Sequence, residues 1–408
     1  MSETKRHAVA AGNVFDGWTT HKDAAVVIDG SRVAGVVAQS EVPLGLEVRK
    51  LPPGAWLAPG FIDLQVNGGG DVLFNNAPTP DAILAIAAAH RKFGTTALLP
   101  TFITDTPAKM AAAFAAAQSL VGEAPSVLGI HLEGPFLSPE KAGVHDTSLM
   151  RQPGAKDLEM LCGPRKGTLL VTLAPERVPK GFVAQLAQSG TRVSLGHSMA
   201  TYAETRAAMA EGLIGFTHLF NAMRPLAARE PGPIAAALES PEAWFGMIVD
   251  GFHVDPAMLR LALRGRARPM LVTDAMPPVG GSRSSFDLYG AEIEVIDGRC
   301  ANPDGRLAGS ALDMASAVRN CVRMLDVPVE DALRFASRNP AEFIGIGHVL
   351  GGLRPGYRAD IVALGSDTLE VLGTWVAGKE EGPILLPPKG LRPVPTKPRG
   401  GHTRVKKT

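Results

Sequence analysis

Cysteine is scarce in this chain. Its 408 residues include three, Cys162, Cys300 and Cys321, an odd number without paired spacing, which argues against a disulfide framework or a zinc ribbon. Net charge is equally slight. The 41 basic and 40 acidic residues leave +1, too little for a general attraction to nucleic acid or to an anionic membrane. No apolar run is long enough to span a bilayer, and the polar start Met-Ser-Glu-Thr-Lys-Arg-His leads into no signal-peptide core. These absences predict a soluble, cytoplasmic protein with neither nucleic-acid nor membrane partners. The length suits one large domain with a smaller one beside it.

What the chain has in abundance is alternation. Residues 7–50 hold short β-rich runs around Asp29-Gly30, a hairpin-turn signal, as expected of a small antiparallel sheet. Pro52-Pro53-Gly54 and Pro59-Gly60 then change its character. Eight apolar runs follow that read as strands: Phe61 to Val66, Ala97 to Ile103, Val127 to Glu133, Leu169 to Leu173, Arg192 to His197, Ile214 to His218, Phe245 to Asp250 and Met270 to Asp274. Helices are signalled between several of them; Thr79 caps one that starts at Pro80 and stops before Gly94. Continuous apolar strands suit a parallel sheet buried on both faces. Eight βα units in this span match a (β/α)8 barrel, typically about 250 residues long. An open doubly wound sheet is disfavoured, because Asn67-Gly-Gly-Gly70 is not the G-x-G-x-x-G turn it needs.

The expected organisation is therefore α/β, a TIM-like barrel with a small β-sandwich domain built from both termini. Residues 59–345 form the catalytic barrel, with a hairpin insertion at about 281–305 lying over its mouth. Residues 1–58 and 346–381 form the two parts of the β-domain, and the Pro-rich, basic tail 382–408 is expected to be disordered.

The chemistry gathers at strand ends. In Gly129-Ile-His-Leu-Glu-Gly-Pro135 the strand period puts His131 and Glu133 on one face, and Glu133 ends the run. His197 and His218 end strands five and six, and functional groups of such barrels sit at these ends. Two imidazoles and a carboxylate are a competent set for Zn²⁺ or Fe²⁺ with a position left for water or substrate. A lone histidine at a strand end is more often a backbone hydrogen-bonder, but three ligand types at equivalent ends favour a metal. Asp274, ending strand eight, is placed to act as general base and then general acid. A helix cap is its plainer role, and Pro277-Pro278 leave no helix directly after it to cap.

These residues also carry a resemblance. Pro59-Gly-Phe-Ile-Asp-Leu-Gln-Val-Asn-Gly68, His131-Leu-Glu-Gly-Pro135, Gly196-His-Ser198, Thr217-His-Leu-Phe-Asn-Ala222, Arg229-Glu-Pro-Gly232, Asp250-Gly-Phe-His-Val254, Val272-Thr-Asp-Ala275 and Leu307-Ala-Gly-Ser310 resemble the N-acetylglucosamine-6-phosphate deacetylase family of the amidohydrolase superfamily. The likeness runs in order through roughly residues 7–378. It implies hydrolysis of N-acetyl-D-glucosamine 6-phosphate to D-glucosamine 6-phosphate and acetate by a homodimer. It also implies metal ligands Glu133, His197 and His218, acid/base Asp274, and His145 as the brace on the acetamide carbonyl. Arg229 and His253 are implied as phosphate ligands. Val144, Asn221, Ala222, Asp250, Leu307, Ala308 and Gly309 are implied around the sugar.

One departure matters. Many amidohydrolases carry His-x-His at the end of strand one for a second metal, and this chain has Gln65 there, so one divalent ion, Zn²⁺ before Fe²⁺, is expected. Asp63 reads as a strand-end hydrogen-bonder, His90 beside Arg91 and Lys92 as a solvated surface histidine, and the cysteines as small buried or lid residues. The alternatives are an N-acetylgalactosamine-6-phosphate deacetylase, a cyclic-amide hydrolase, or a barrel that binds amino-sugar phosphates without catalysis.

Overall fold

The computed structural model describes residues 6–302 and 305–381, so the expected tail, 382–408, lies outside the described residues. The eight strands expected of a barrel are all present: Phe61–Val66, Thr95–Ile103, Gly129–Glu133, Thr168–Leu173, Arg192–Leu195, Gly215–Phe216, Trp244–Met247 and Arg268–Leu271. They pair in parallel and in sequence order. The circle closes beyond strand eight, where the Asp274 amide donates to the Gln65 carbonyl and the Asn67 amide to that of Ala275, each at 2.9 Å. Asp63 reinforces the seam. It lies within strand one rather than at its end, and its carboxylate accepts from the Thr273 hydroxyl at 2.5 Å. All nine residues of strand two are buried, as a strand covered on both faces requires.

Helix Pro80–Arg91 starts as its sequence signals, with the Thr79 hydroxyl accepting from the Ala82 amide. It also corrects the expectation for His90, which is buried rather than solvated. The reason is helical spacing: Ile83, Ile86, Ala87 and His90 share one face, and Arg91 and Lys92 point elsewhere. His90 Nε2 meets the Gly68 carbonyl at 2.9 Å, and a Cβ at Gly69 would stand 2.8 Å from the ring. Three helices have no clear signal in the sequence: Ala155–Cys162, Gly232–Leu238 and Arg338–Phe343. None exceeds eight residues, too short for a periodic stripe, and Gly232-Pro233 reads locally as a breaker.

A second eight-stranded sheet is built from both ends of the described chain. Ile361–Leu364 pairs antiparallel with Trp56–Pro59, and Asp29-Gly30 turns Thr20–Asp29 into Arg32–Ala38. The insertion over the barrel mouth is a four-stranded antiparallel sheet, Ser285–Leu288, Ala291–Ile296, Arg299–Ala301 and Leu307–Ser310. Its inner face packs Leu288, Ile293 and Cys300 onto Leu73, Ile103 and Met276, so it lies on the loops that follow the barrel strands. Cys300 and Cys321 are buried, Cys162 is half-buried, and all three are free thiols.

Candidate active site

Glu133 is the last residue of strand three; His197 and His218 stand two residues beyond strands five and six, and Asp274 three beyond strand eight. These last three have positive φ, 48°, 33° and 53°, a region that non-glycine residues rarely occupy. The chain thus turns sharply at each tip. Strain of this kind persists where the surroundings over-determine it, and here the His197 carbonyl is held by the Ser138 amide at 2.9 Å.

The tips converge. His218 Nε2 lies 2.9 Å and His197 Nε2 3.2 Å from Glu133 Oε1, and the two Nε2 atoms are 3.1 Å apart. The three ligand atoms all lie within 4.8 Å of one another, and all three side chains are buried. Donor chemistry shows that this group fits a cation. His197 Nδ1 lies 2.7 Å from the Lys141 carbonyl, which only accepts, so Nδ1 carries a proton. Its Nε2 then lies within 3.2 Å of both a carboxylate oxygen and another imidazole nitrogen, three ligand-type atoms meeting at one point, the set that a divalent cation fits.

Asp274 is held from the other side. Its Oδ1 accepts from Asn67 Nδ2 at 2.6 Å and from Gln65 Nε2 at 3.2 Å, and the same Gln65 nitrogen reaches Glu133 Oε2 at 3.2 Å. Gln65 therefore bridges the two carboxylates. Asp274 is raised to about 6 by desolvation first and then by the charge of Glu133. Burial also pushes Glu133 up, but the hydrogen bonds from His197 and His218 outweigh it and hold the carboxyl well below its usual range. His131 does share the inward face with Glu133, but its nitrogens are spent on Thr101, at 3.1 Å, and Thr172, at 2.8 Å, below the site.

A cavity of about 170 Å³ opens above these groups. Most of the expected residues line it: Glu133, His197, His218, Asp274, Val144, His145, Asn221, Ala222, His253, Leu307 and Gly309. Ala308 is buried behind the wall. Asp250 stands behind His253, its Oδ2 at 2.6 Å from Nδ1; burial raises its carboxyl, and the hydrogen bond with His253 more than reverses that. Arg229 is exposed and lies off the wall of this cavity, and its neighbour Glu230 accepts instead from the amides of Tyr202 and Gly232. His145 packs against His197, ring centroids 4.4 Å apart, and burial lowers it to about 3, so the ring is neutral. Sequence reading missed Asn67 and Thr104. The strand period offered a signal for the first, since Asn67 follows Gln65 by two; nothing marked Thr104.

Such a barrel, with three residues that could hold a metal and an acid at its mouth, is the frame of a metal-assisted hydrolase. The amidohydrolase family matches residues 56–380, and the chain belongs to that family. It is similar to the N-acetylgalactosamine-6-phosphate deacetylase of Shewanella sp. (strain ANA-3), with 43% identity over 79% of this chain and 82% of the relative. It is also similar to the N-acetylglucosamine-6-phosphate deacetylase of Haemophilus influenzae, with 32% identity over 90% of this chain and 97% of the relative. The crystal structure of N-acetylglucosamine-6-phosphate deacetylase from Pasteurella multocida superposes with a TM-score of 0.88 at 34% identity, covering 92% of this chain and 99% of that one. Among the described residues no helix is long and apolar enough to cross a membrane.

Proposed function

We propose that this chain hydrolyses N-acetyl-D-glucosamine 6-phosphate to D-glucosamine 6-phosphate and acetate. The observation that carries the reading is the convergence of a Glu-His-His cluster and the buried Asp274 on one cavity. Glu133, His197 and His218 would hold one divalent ion, Zn²⁺ before Fe²⁺. When bound, that ion supplies a Lewis acid that acidifies water and polarises a carbonyl.

The chain's own residues divide the remaining work. Asp274 takes the proton of the attacking water and passes it to the leaving nitrogen. Its Oδ1 is occupied by the two amides, which leaves Oδ2 for that proton. Neutral His145 donates an N–H to the acetamide oxygen, where negative charge develops. His253, oriented by Asp250, takes the phosphate, and Val144, Asn221, Ala222 and the backbone of Leu307, Ala308 and Gly309 surround the sugar. The assembly we propose is a cytoplasmic homodimer. Arg229, exposed and away from its own cavity, is then available to a phosphate at the neighbouring subunit.

The Shewanella relative favours a second reading, hydrolysis of the C4 epimer. Acetate release from both sugar phosphates decides between them. The expected result is a higher kcat/KM for the glucosamine compound; a higher value for the galactosamine compound selects the second reading, and release from neither rejects both.

A further inference from the structure

Thr104 directly follows barrel strand two and is 1% exposed. Two loops meet on it. Its hydroxyl lies 2.8 Å from His145 Nδ1, and its carbonyl accepts from the phenol of Tyr289, in the turn between the first two strands of the insertion. On the facing side is Gly134, with φ 91°, where any Cβ would collide with the Thr104 hydroxyl. The backbone is packed closely around this one oxygen.

A threonine hydroxyl carries one proton, and burying that proton without an acceptor is costly. Among the described residues, His145 Nδ1 is the side-chain partner Oγ1 has. Oγ1 therefore donates and Nδ1 accepts, because the reverse arrangement would strand the hydroxyl proton. A neutral imidazole has one proton of its own, which then sits on Nε2 of a ring that lines the cavity.

We propose that Thr104 is a positioning residue for the hydrolysis: it fixes the tautomer of His145, so that the ring offers the substrate carbonyl an N–H and not a lone pair. The inference rests on the reading above, in which His145 braces the acetamide. Tyr289 ties the same residue to the sheet over the cavity, so the brace and its cover share one anchor.

The test uses the full chain with its metal bound. Long-range ¹H–¹⁵N spectra of ¹⁵N-histidine-labelled protein should show His145 in the Nε2–H form. Thr104→Val, which keeps the shape and removes the donor, should let the Nδ1–H form appear and lower kcat by about tenfold to hundredfold, with KM within about twofold. Thr104→Ser should recover most of both. An Nδ1–H tautomer in the unaltered chain overturns the proposal, whether or not the valine variant folds. So does an unaltered kcat in a folded Thr104→Val protein. If the unaltered chain releases no acetate, the functional reading fails on its own, and the spectrum still decides what Thr104 does.

Discussion

Glu133 and Asp274 face the same cavity and share one amide nitrogen of Gln65, yet the protein moves their acidities apart. Desolvation raises both. At Glu133 two imidazoles overcome it and keep the carboxyl far below its ordinary range; at Asp274 two neutral amides do not, and the carboxyl reaches about 6. Strands three, five and six thus build a corner suited to a cation, and strands one and eight a corner suited to holding a proton. The difference teaches that two carboxylates at equivalent strand tips can be driven to opposite acidities by their neighbours, the condition for separate acid/base roles. Gln65 touches both and marks the border between the corners.

The sharpest way to break this contrast is to neutralise each acid in turn. Glu133→Gln is expected to abolish both metal retention and acetate release. Asp274→Asn should lower kcat by about 10²–10⁴ while elemental analysis still finds the ion. Loss of the ion from both variants would erase the distinction. Next in size is His253→Asn, outside both corners, which is expected to raise KM by about tenfold to hundredfold through a lost charged hydrogen bond, with little change in kcat.

A smaller effect sharpens the proton corner. In the proposed reaction Asp274 acts as a base only when ionised, so kcat/KM should fall as pH drops through its pKa, about 6. Asn67→Ala removes a donor that favours the ionised form, so the acid limb should move to higher pH. A held cation lowers the midpoint in both proteins without changing the sign of the difference. An unmoved limb would separate Asn67 from the proton. Least of all, Tyr289→Phe should reduce unfolding free energy by about 0.5–1.5 kcal/mol in a denaturant titration, the worth of one hydrogen bond.

The cation corner was far more legible in the sequence than the proton corner. Glu133, His197 and His218 each end an apolar run, and a parallel barrel brings such ends together, so local pattern and fold rule sufficed. Asp274 was legible for the same reason. For its partner Asn67 the strand period offers only a shared face with Gln65; the contact with Asp274, 207 residues away, exists only after strands one and eight close the barrel. Thr104 is hidden likewise, since its hydroxyl matters only through His145, 41 residues on. His90 was misread because its charged neighbours in sequence are not its neighbours on the helix face. The short helices Ala155–Cys162 and Gly232–Leu238 lacked the length over which a periodic signal accumulates.

The most direct measurement is the divalent-metal content of the purified chain, before and after chelation, alongside acetate release from N-acetyl-D-glucosamine 6-phosphate. About one ion per chain is predicted, as one three-ligand site requires, with activity lost on chelation and regained on adding Zn²⁺ or Fe²⁺. Undiminished acetate release from a chain stripped of every divalent ion would contradict the account.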